Sequence, residues 1–198
     1  MANIYIIAGP PGIGKSTSGG AVIPNDLTIL DPDQIADRYK KNGFADYKDI
    51  GNLKFNELVK RELFKGNDFG IELNLGYQSH YDFVKSIKNF NKDNTIDVIL
   101  FFTDDINLCF KRAEIRHQSG LHLVSPTTIK EMYQNTLPLL KTNFLQISSL
   151  TAVNITAGDS PKIVLQYYKK GRRLLMIKEL PEWLANDLKG FLESGGDD

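Results

Sequence analysis

Residues Gly9, Pro10, Pro11, Gly12, Ile13, Gly14, Lys15 and Ser16 fit the pattern G-x-x-x-x-G-K-[ST] at every fixed position. Residue types at this spacing build a phosphate-binding loop. Gly12 and Gly14 tolerate positive φ and leave no side chain in the way, so backbone N–H groups turn inward onto phosphate oxygens. Lys15 is expected to bridge the β- and γ-phosphates, Ser16 to offer its hydroxyl to magnesium, and Thr17 to add an α-phosphate contact, while the start of the following helix favours negative charge. The expected ligands are a nucleoside triphosphate, ATP or GTP, and Mg2+.

A phosphate loop is shared by GTPases, motors, transporters and small-molecule kinases, so the rest of the site must decide between them. Asp33 follows the apolar piece Leu27 to Leu30, and a carboxylate just beyond a parallel strand lies where ligands bind. It is the candidate to accept the proton of an attacking hydroxyl. For both Asp31 and Asp33 the alternative is to cap a helix and complement its dipole. Glu72, in G-I-E-L-N-L, is placed to hold the acceptor or, through water, the metal, or else to be a salt-bridged strand-end carboxylate. Arg112 and Arg116 share one helix face before a glycine-containing loop and are expected to close over the triphosphate, a solvated face being the alternative.

Three other patterns fail on context. N-K-D-N at Asn91 has its aspartate one residue early for a guanine-reading N-K-x-D and precedes the strand it should follow. D-F-G at Asp68 lacks the H-R-D loop and V-A-I-K strand of protein kinases, and T-S-G-G at Thr17 lies inside the first helix.

The elements that must position these residues alternate strand and helix. Asn3 to Ala8 is a continuous apolar run suited to the middle of a sheet covered on both faces. Leu27 to Leu30 leads into a helix capped by Asp31, opened by Pro32 and stopped by Gly43, and a second helix over 46–65 carries Phe55, Leu58, Val59 and Leu63 at helical spacing. A strand over 68–75, a helix over 78–91 and the strongest strand, over 95–103, follow. Helices over 105–119 and 126–145, the second containing Pro138, flank the loop S-G-L-H-L-V-S. The end of the chain reads as a strand over 150–156, a hairpin around Lys170-Gly171 and a helix over 181–192. The expected fold class is α/β, a three-layer P-loop NTPase fold with a mainly parallel central sheet, a helical lid at about 112–130, and a small hairpin plus helix at about 160–193. Gly19 and Gly20 sit early in the first helix, where each costs about 1 kcal/mol relative to alanine, a cost that close packing would justify.

Composition bounds the partners. With 198 residues and 41% hydrophobic content the chain is expected to build one domain over 1–198. Lys plus Arg number 24 and Asp plus Glu 24, so no overall field draws it to nucleic acid or an anionic membrane, although a local basic patch is compatible with this balance. The single cysteine, Cys109, forms no internal disulfide and is expected to be a small buried hydrophobe. No stretch reaches the roughly 20 apolar residues of a membrane span, which leads to an expectation of cytoplasmic location.

The order Y-I-I-A-G-P-P-G-I-G-K-S-T, L-D-P-D-Q-I-A, F-G-I-E-L-N-L, V-I-L-F-F-T-D-D-I-N-L-C-F-K-R-A-E-I-R and G-L-H-L-V-S-P-T-T-I-K-E-M-Y resembles the zeta toxin family of P-loop kinases over about residues 1–140. The resemblance implies use of ATP and magnesium, a small acceptor of which UDP-N-acetylglucosamine is the family's best-known case, and, for some members, an antitoxin that holds the enzyme inactive. It also implies that Asp33 activates the acceptor, Glu72 contacts it, and Arg112 with Arg116 belongs to the lid. The chain departs from the family pattern in three places. Asp31 stands for a frequent asparagine, Leu73-Asn74 for threonines, and Gly120-Leu121-His122 with Lys130-Glu131-Met132-Tyr133 for a G-G-H-x-x-P lid and a later arginine cluster. His122 is either a ligand contact or an ordinary loop histidine.

The leading expectation is therefore a phosphotransferase that moves the ATP γ-phosphate to an alcohol of a small acceptor. A nucleotide-binding regulatory module with weak or no kinase activity is the alternative from another class. A nucleic-acid end kinase is a third reading that the balanced charge disfavours.

Overall fold

The computed structural model describes residues 1–119 and 124–196, so Gly120, Leu121 and His122 of the expected lid lie outside the described residues. Seven strands, β1 (Asn3–Ala8), β2 (Ile29–Leu30), β3 (Phe69–Glu72), β4 (Thr95–Phe102), β5 (Ser149–Asn154), β6 (Lys162–Tyr168) and β7 (Arg173–Met176), form one sheet in the order β2-β3-β1-β4-β5-β6-β7. The first five are parallel, and β6 and β7 continue the sheet antiparallel. The C-terminal hairpin is thus the sheet's own edge.

β1 is central, which explains its run of isoleucines. Ile4, Ile6 and Ala8 enter one core while Ile7 enters the other, as side chains alternate across a strand. The larger core packs the sheet against α2 (Pro32–Lys41), α3 (Tyr47–Lys65), α4 (Gln78–Phe90) and α6 (Pro126–Thr142), with α7 (Glu182–Asp187) and α8 (Lys189–Glu193) at the antiparallel end. The smaller core sets Ile7, Ile99, Phe101 and Val153 against Ile13 and the Leu108, Cys109 and Ala113 face of α5 (Ile106–Gln118). Cys109 is fully buried there.

Several boundaries differ from expectation. β2 keeps only Ile29 and Leu30, without the expected Leu27 and Thr28 at its amino end, and β3 keeps only four residues, ending at Glu72 where the chain turns into the site. α6 runs through Pro138 but ends at Thr142, and the expected final helix breaks at Leu188 into α7 and α8. The helix after the phosphate loop, α1 (Lys15–Ser18), has a single turn before a 3-10 turn over Gly19–Val22. A Cβ on Gly19 would lie 2.8 Å from Ile7 Cγ2, so the glycine lets this turn rest on β1. Gly20 has only Ile29 nearby, at 3.8 Å, and close packing does not account for it.

Among the described residues no helix is long and apolar enough to cross a membrane.

Candidate active site

The strand order reverses at β1, and the loop that leaves its carboxyl end occupies the crevice where such sheets bind ligands. Gly12 adopts φ +81° and a Cβ there would lie 2.3 Å from the carbonyl oxygen of Cys109, so both its backbone conformation and its contact with α5 require glycine. Gly14, at φ +106°, stands at the N-terminus of α1. Arg112 reaches across from α5 and donates from Nη1 to the Ile13 carbonyl over 2.8 Å, bracing the loop.

Lys15 is 6% exposed, and its ammonium donates to Gly9 O at 2.9 Å, Pro10 O at 3.2 Å and Asn74 Oδ1 at 2.7 Å. Burial pulls its pKa down, opposed by the carboxylates of Glu72, Asp33 and Asp31. The exposed Ser16 hydroxyl donates to Glu72 Oε1 at 3.0 Å. Burial raises the Glu72 carboxyl pKa, against the pull of Lys15.

Asp31 caps α2, with one carboxylate oxygen accepting from the backbone of Asp33 at 2.9 Å and Gln34 at 3.2 Å. Pro32 takes the first helical position, whose missing N–H needs no partner. Burial raises the Asp31 pKa above the usual carboxylate range despite these two donors. The Asp33 side chain takes no part in the cap and is exposed on the first turn of α2.

A cleft of about 250 Å³ brings these groups together, lined by Gly12, Lys15, Asp31, Asp33, Glu72 and Arg116 among others. The two arginines divide, since Arg116 lines this cleft while Arg112 holds the loop. Thr17 is exposed on α1, outside the residues lining the cleft. The opposite wall comes from Thr128 and Met132 of α6. That helix is anchored by Tyr133, which donates to Thr103 O at 2.7 Å and stacks on Phe102 with ring centroids 4.7 Å apart. Its phenol pKa is pushed up to about 12, chiefly by burial. Glu131 accepts a 2.9 Å hydrogen bond from Tyr77, tying α6 to the start of α4. Trp183 packs against Phe102 with ring centroids 5.2 Å apart, and Asp104 accepts from the Glu182 and Trp183 amides.

Sequence reasoning did not single out Asp37 or Gln34 as lining residues, although Asp37 lies one helical turn beyond Asp33 and that spacing was a usable signal. It marked Asn74 only as a departure from a family pattern. Nothing local could have shown its contact with Lys15, 59 residues away. His80 is a third case: its Nδ1 is buried without a partner among the described residues, and burial together with Lys15 lowers its pKa.

The donor set suits magnesium. A hydroxyl and a carboxylate already in contact, with further carboxylates in the same cleft, are hard oxygen ligands of the kind Mg2+ takes a few at a time beside phosphate and water. Among the described residues there is no cluster of three or more His, Cys, Asp and Glu side chains able to hold a metal without such help.

No family model matches the chain, and no curated protein matches it by sequence. Solved structures match its fold. A kinase candidate from Chloroflexus aurantiacus j-10-fl gives a TM-score of 0.51 at 17% identity, over 66% of this chain and 74% of that one. The AvrRxo1-ORF1:-ORF2 complex solved with ATP gives 0.66 at 7% identity, over 89% of this chain and 60% of that one. The PezAT chromosomal toxin-antitoxin system of Streptococcus pneumoniae gives 0.58 at 18% identity, over 77% and 66%. This chain spans less than two thirds of the length of the last two. The chain shares the α/β fold of these neighbours, with a mainly parallel central sheet, which is the fold class expected from its sequence.

Proposed function

We propose that this protein is a kinase of zeta toxin type that transfers the γ-phosphate of ATP to a hydroxyl of a small acceptor. The observation that carries this reading is the meeting of Lys15, Asp33, Glu72 and Arg116, from four different elements, around one cleft beside the phosphate loop.

In this reading the loop amides and Lys15 hold the β- and γ-phosphates, and Arg116 offsets the charge that develops on the transferred group. Asp33 accepts the proton of the attacking hydroxyl as its oxygen bonds to the γ-phosphorus and the bond to the ADP oxygen breaks. Ser16, with Glu72 beside it, would hold Mg2+. The metal, when bound, supplies Lewis-acid neutralisation of the phosphate oxygens. Arg112 keeps the loop in shape through Ile13.

The walls also speak to the acceptor. Asp31, Asp33, Asp37 and Glu72 make the cleft acidic, which suits a neutral, hydroxyl-rich group. An adjoining groove of about 280 Å³ between α2 and α3 shares Asp33 and Asp37 but adds Lys40, Lys48 and Tyr47, a setting for an anionic and aromatic portion. A sugar nucleotide such as a UDP-sugar has both parts. An inhibitory protein partner belongs to the same proposal, because PezAT is a toxin-antitoxin system and AvrRxo1-ORF1 was solved with ORF2.

One observation favours a second reading, a regulatory nucleotide binder: Arg112 is committed to a loop carbonyl, leaving Arg116 as the lid arginine that lines the cleft. Incubation with ATP, Mg2+ and a panel of sugars and UDP-sugars, read by mass spectrometry, separates the two. A phosphorylated product that disappears in Asp33→Asn supports the kinase. Tight ATP binding with no acceptor-dependent ADP release supports the regulator.

A further inference from the structure

An ammonium group has three donors, and those of Lys15 are matched by three acceptors of its own chain: the Gly9 and Pro10 carbonyls and the Asn74 carboxamide. The shortest of the three bonds is the one to Asn74. Lys15 is buried and, among the described residues, makes no ion pair; the nearby Glu72 accepts from Ser16. A buried charge left without such partners would be costly, so these acceptors stabilise the site as it stands.

The three acceptors are not equally replaceable. Gly9 and Pro10 belong to the backbone of the loop itself, where a Cβ on Gly9 would lie 2.2 Å from the Phe101 carbonyl oxygen, so neither moves without displacing the loop from β4. Asn74 lies two residues beyond the end of β3, its side chain lines the cleft, and its Nδ2 has no partner among the described residues. Among the described residues its carboxamide makes one hydrogen bond, the one from Lys15.

We infer that Asn74 is a positioning residue that occupies the phosphate's place on Lys15 and gives it up when phosphate enters the loop. A neutral amide is suited to this exchange. It satisfies the ammonium well enough to keep it buried and aligned, yet an anionic phosphate oxygen forms the stronger, charge-assisted bond. A carboxylate at this position would compete with phosphate on equal terms and repel it. An apolar residue would leave the ammonium short of an acceptor. The family's threonine position has thus become, in this chain, a placeholder for the ligand.

The inference rests on the phosphate-loop reading, and the test separates the two. Calorimetric titration with inorganic pyrophosphate, and with ADP, is made on the full chain and on Asn74→Ala, Asn74→Ser and Asn74→Asp. Wild type that binds neither ligand overturns the phosphate-loop reading. Given wild-type binding, Asn74→Ala and Asn74→Ser are expected to bind pyrophosphate about three- to tenfold more tightly, and Asn74→Asp at least about tenfold more weakly. A residue with only a structural role would weaken binding whenever it is changed, so unchanged or weaker binding in both Ala and Ser overturns the exchange. Should those variants fail to fold, the wild-type side-chain amide resonances of Asn74 decide: a clear shift on adding pyrophosphate supports release of the carboxamide, and an unmoved pair of resonances overturns it.

Discussion

The Ser16 hydroxyl donates to Glu72 Oε1 across 3.0 Å, joining the end of the phosphate loop to the end of the neighbouring strand β3. This contact makes a hydroxyl and a carboxylate one unit, the kind that Mg2+ recruits beside phosphate. Ser16→Ala should leave metal-free ADP affinity nearly unchanged and remove about tenfold from the gain that Mg2+ brings, measured by titration with and without the ion.

Glu72 is also a stability liability with a defined pH signature. Its pKa is raised in the folded protein, chiefly by burial, so the folded state holds a proton that the unfolded state releases above about pH 4.3. Stability from this group therefore falls as pH rises through that window and up to its folded pKa. Glu72→Gln should show a higher Tm than wild type at pH 7, the gap closing toward pH 4. An equal or lower Tm at pH 7 would contradict the assignment.

Asp33 is exposed and its side chain caps nothing, in contrast to Asp31. Asp33→Asn is expected to lower kcat about 10²- to 10⁴-fold while leaving the KM for ATP and the Tm close to wild type. Asp31→Ala should instead cost about 1 kcal/mol of stability through loss of the α2 cap, visible in a urea titration.

The two arginines should separate kinetically. Arg116→Gln is expected to lower kcat about 10²-fold with little effect on ATP affinity, whereas Arg112→Gln should weaken ATP binding by releasing the Ile13 carbonyl. Identical profiles for the two variants would argue against the division of labour.

Cys109 reports on folding rather than function. Its thiol is fully buried and its pKa is pushed up to about 11, chiefly by burial. A disulfide reagent at pH 8 should leave it unmodified in the native protein and label it only as fast as the protein opens. Immediate labelling of native protein would disprove the packing of α5 against the phosphate loop.

The local instructions in this sequence are strong. The eight residues Gly9 to Ser16 match a phosphate loop, in which the glycines permit the backbone curvature and the lysine supplies the charge. Asp31-Pro32 likewise starts α2 through a cap and a preset φ, which depend on neighbours alone. The isoleucine-rich run of β1, with Ile4, Ile6 and Ile7, announced a strand covered on both faces. What the order of residues did not reveal is what each long side chain meets. Arg112 and Arg116 look alike in sequence, yet one braces the Ile13 carbonyl and the other lines the cleft, because α5 packs with only one of them over the loop. The hairpin's place as the edge of the main sheet depends on β5 offering its free side to β6, a pairing no local signal encodes. Asn74 was visible only as an unusual residue. Its contact with Lys15 exists because β3 pairs beside β1, which carries the end of one strand to the loop that follows the other. Distances between side chains far apart in the chain are set by packing, and packing is a property of the whole sheet.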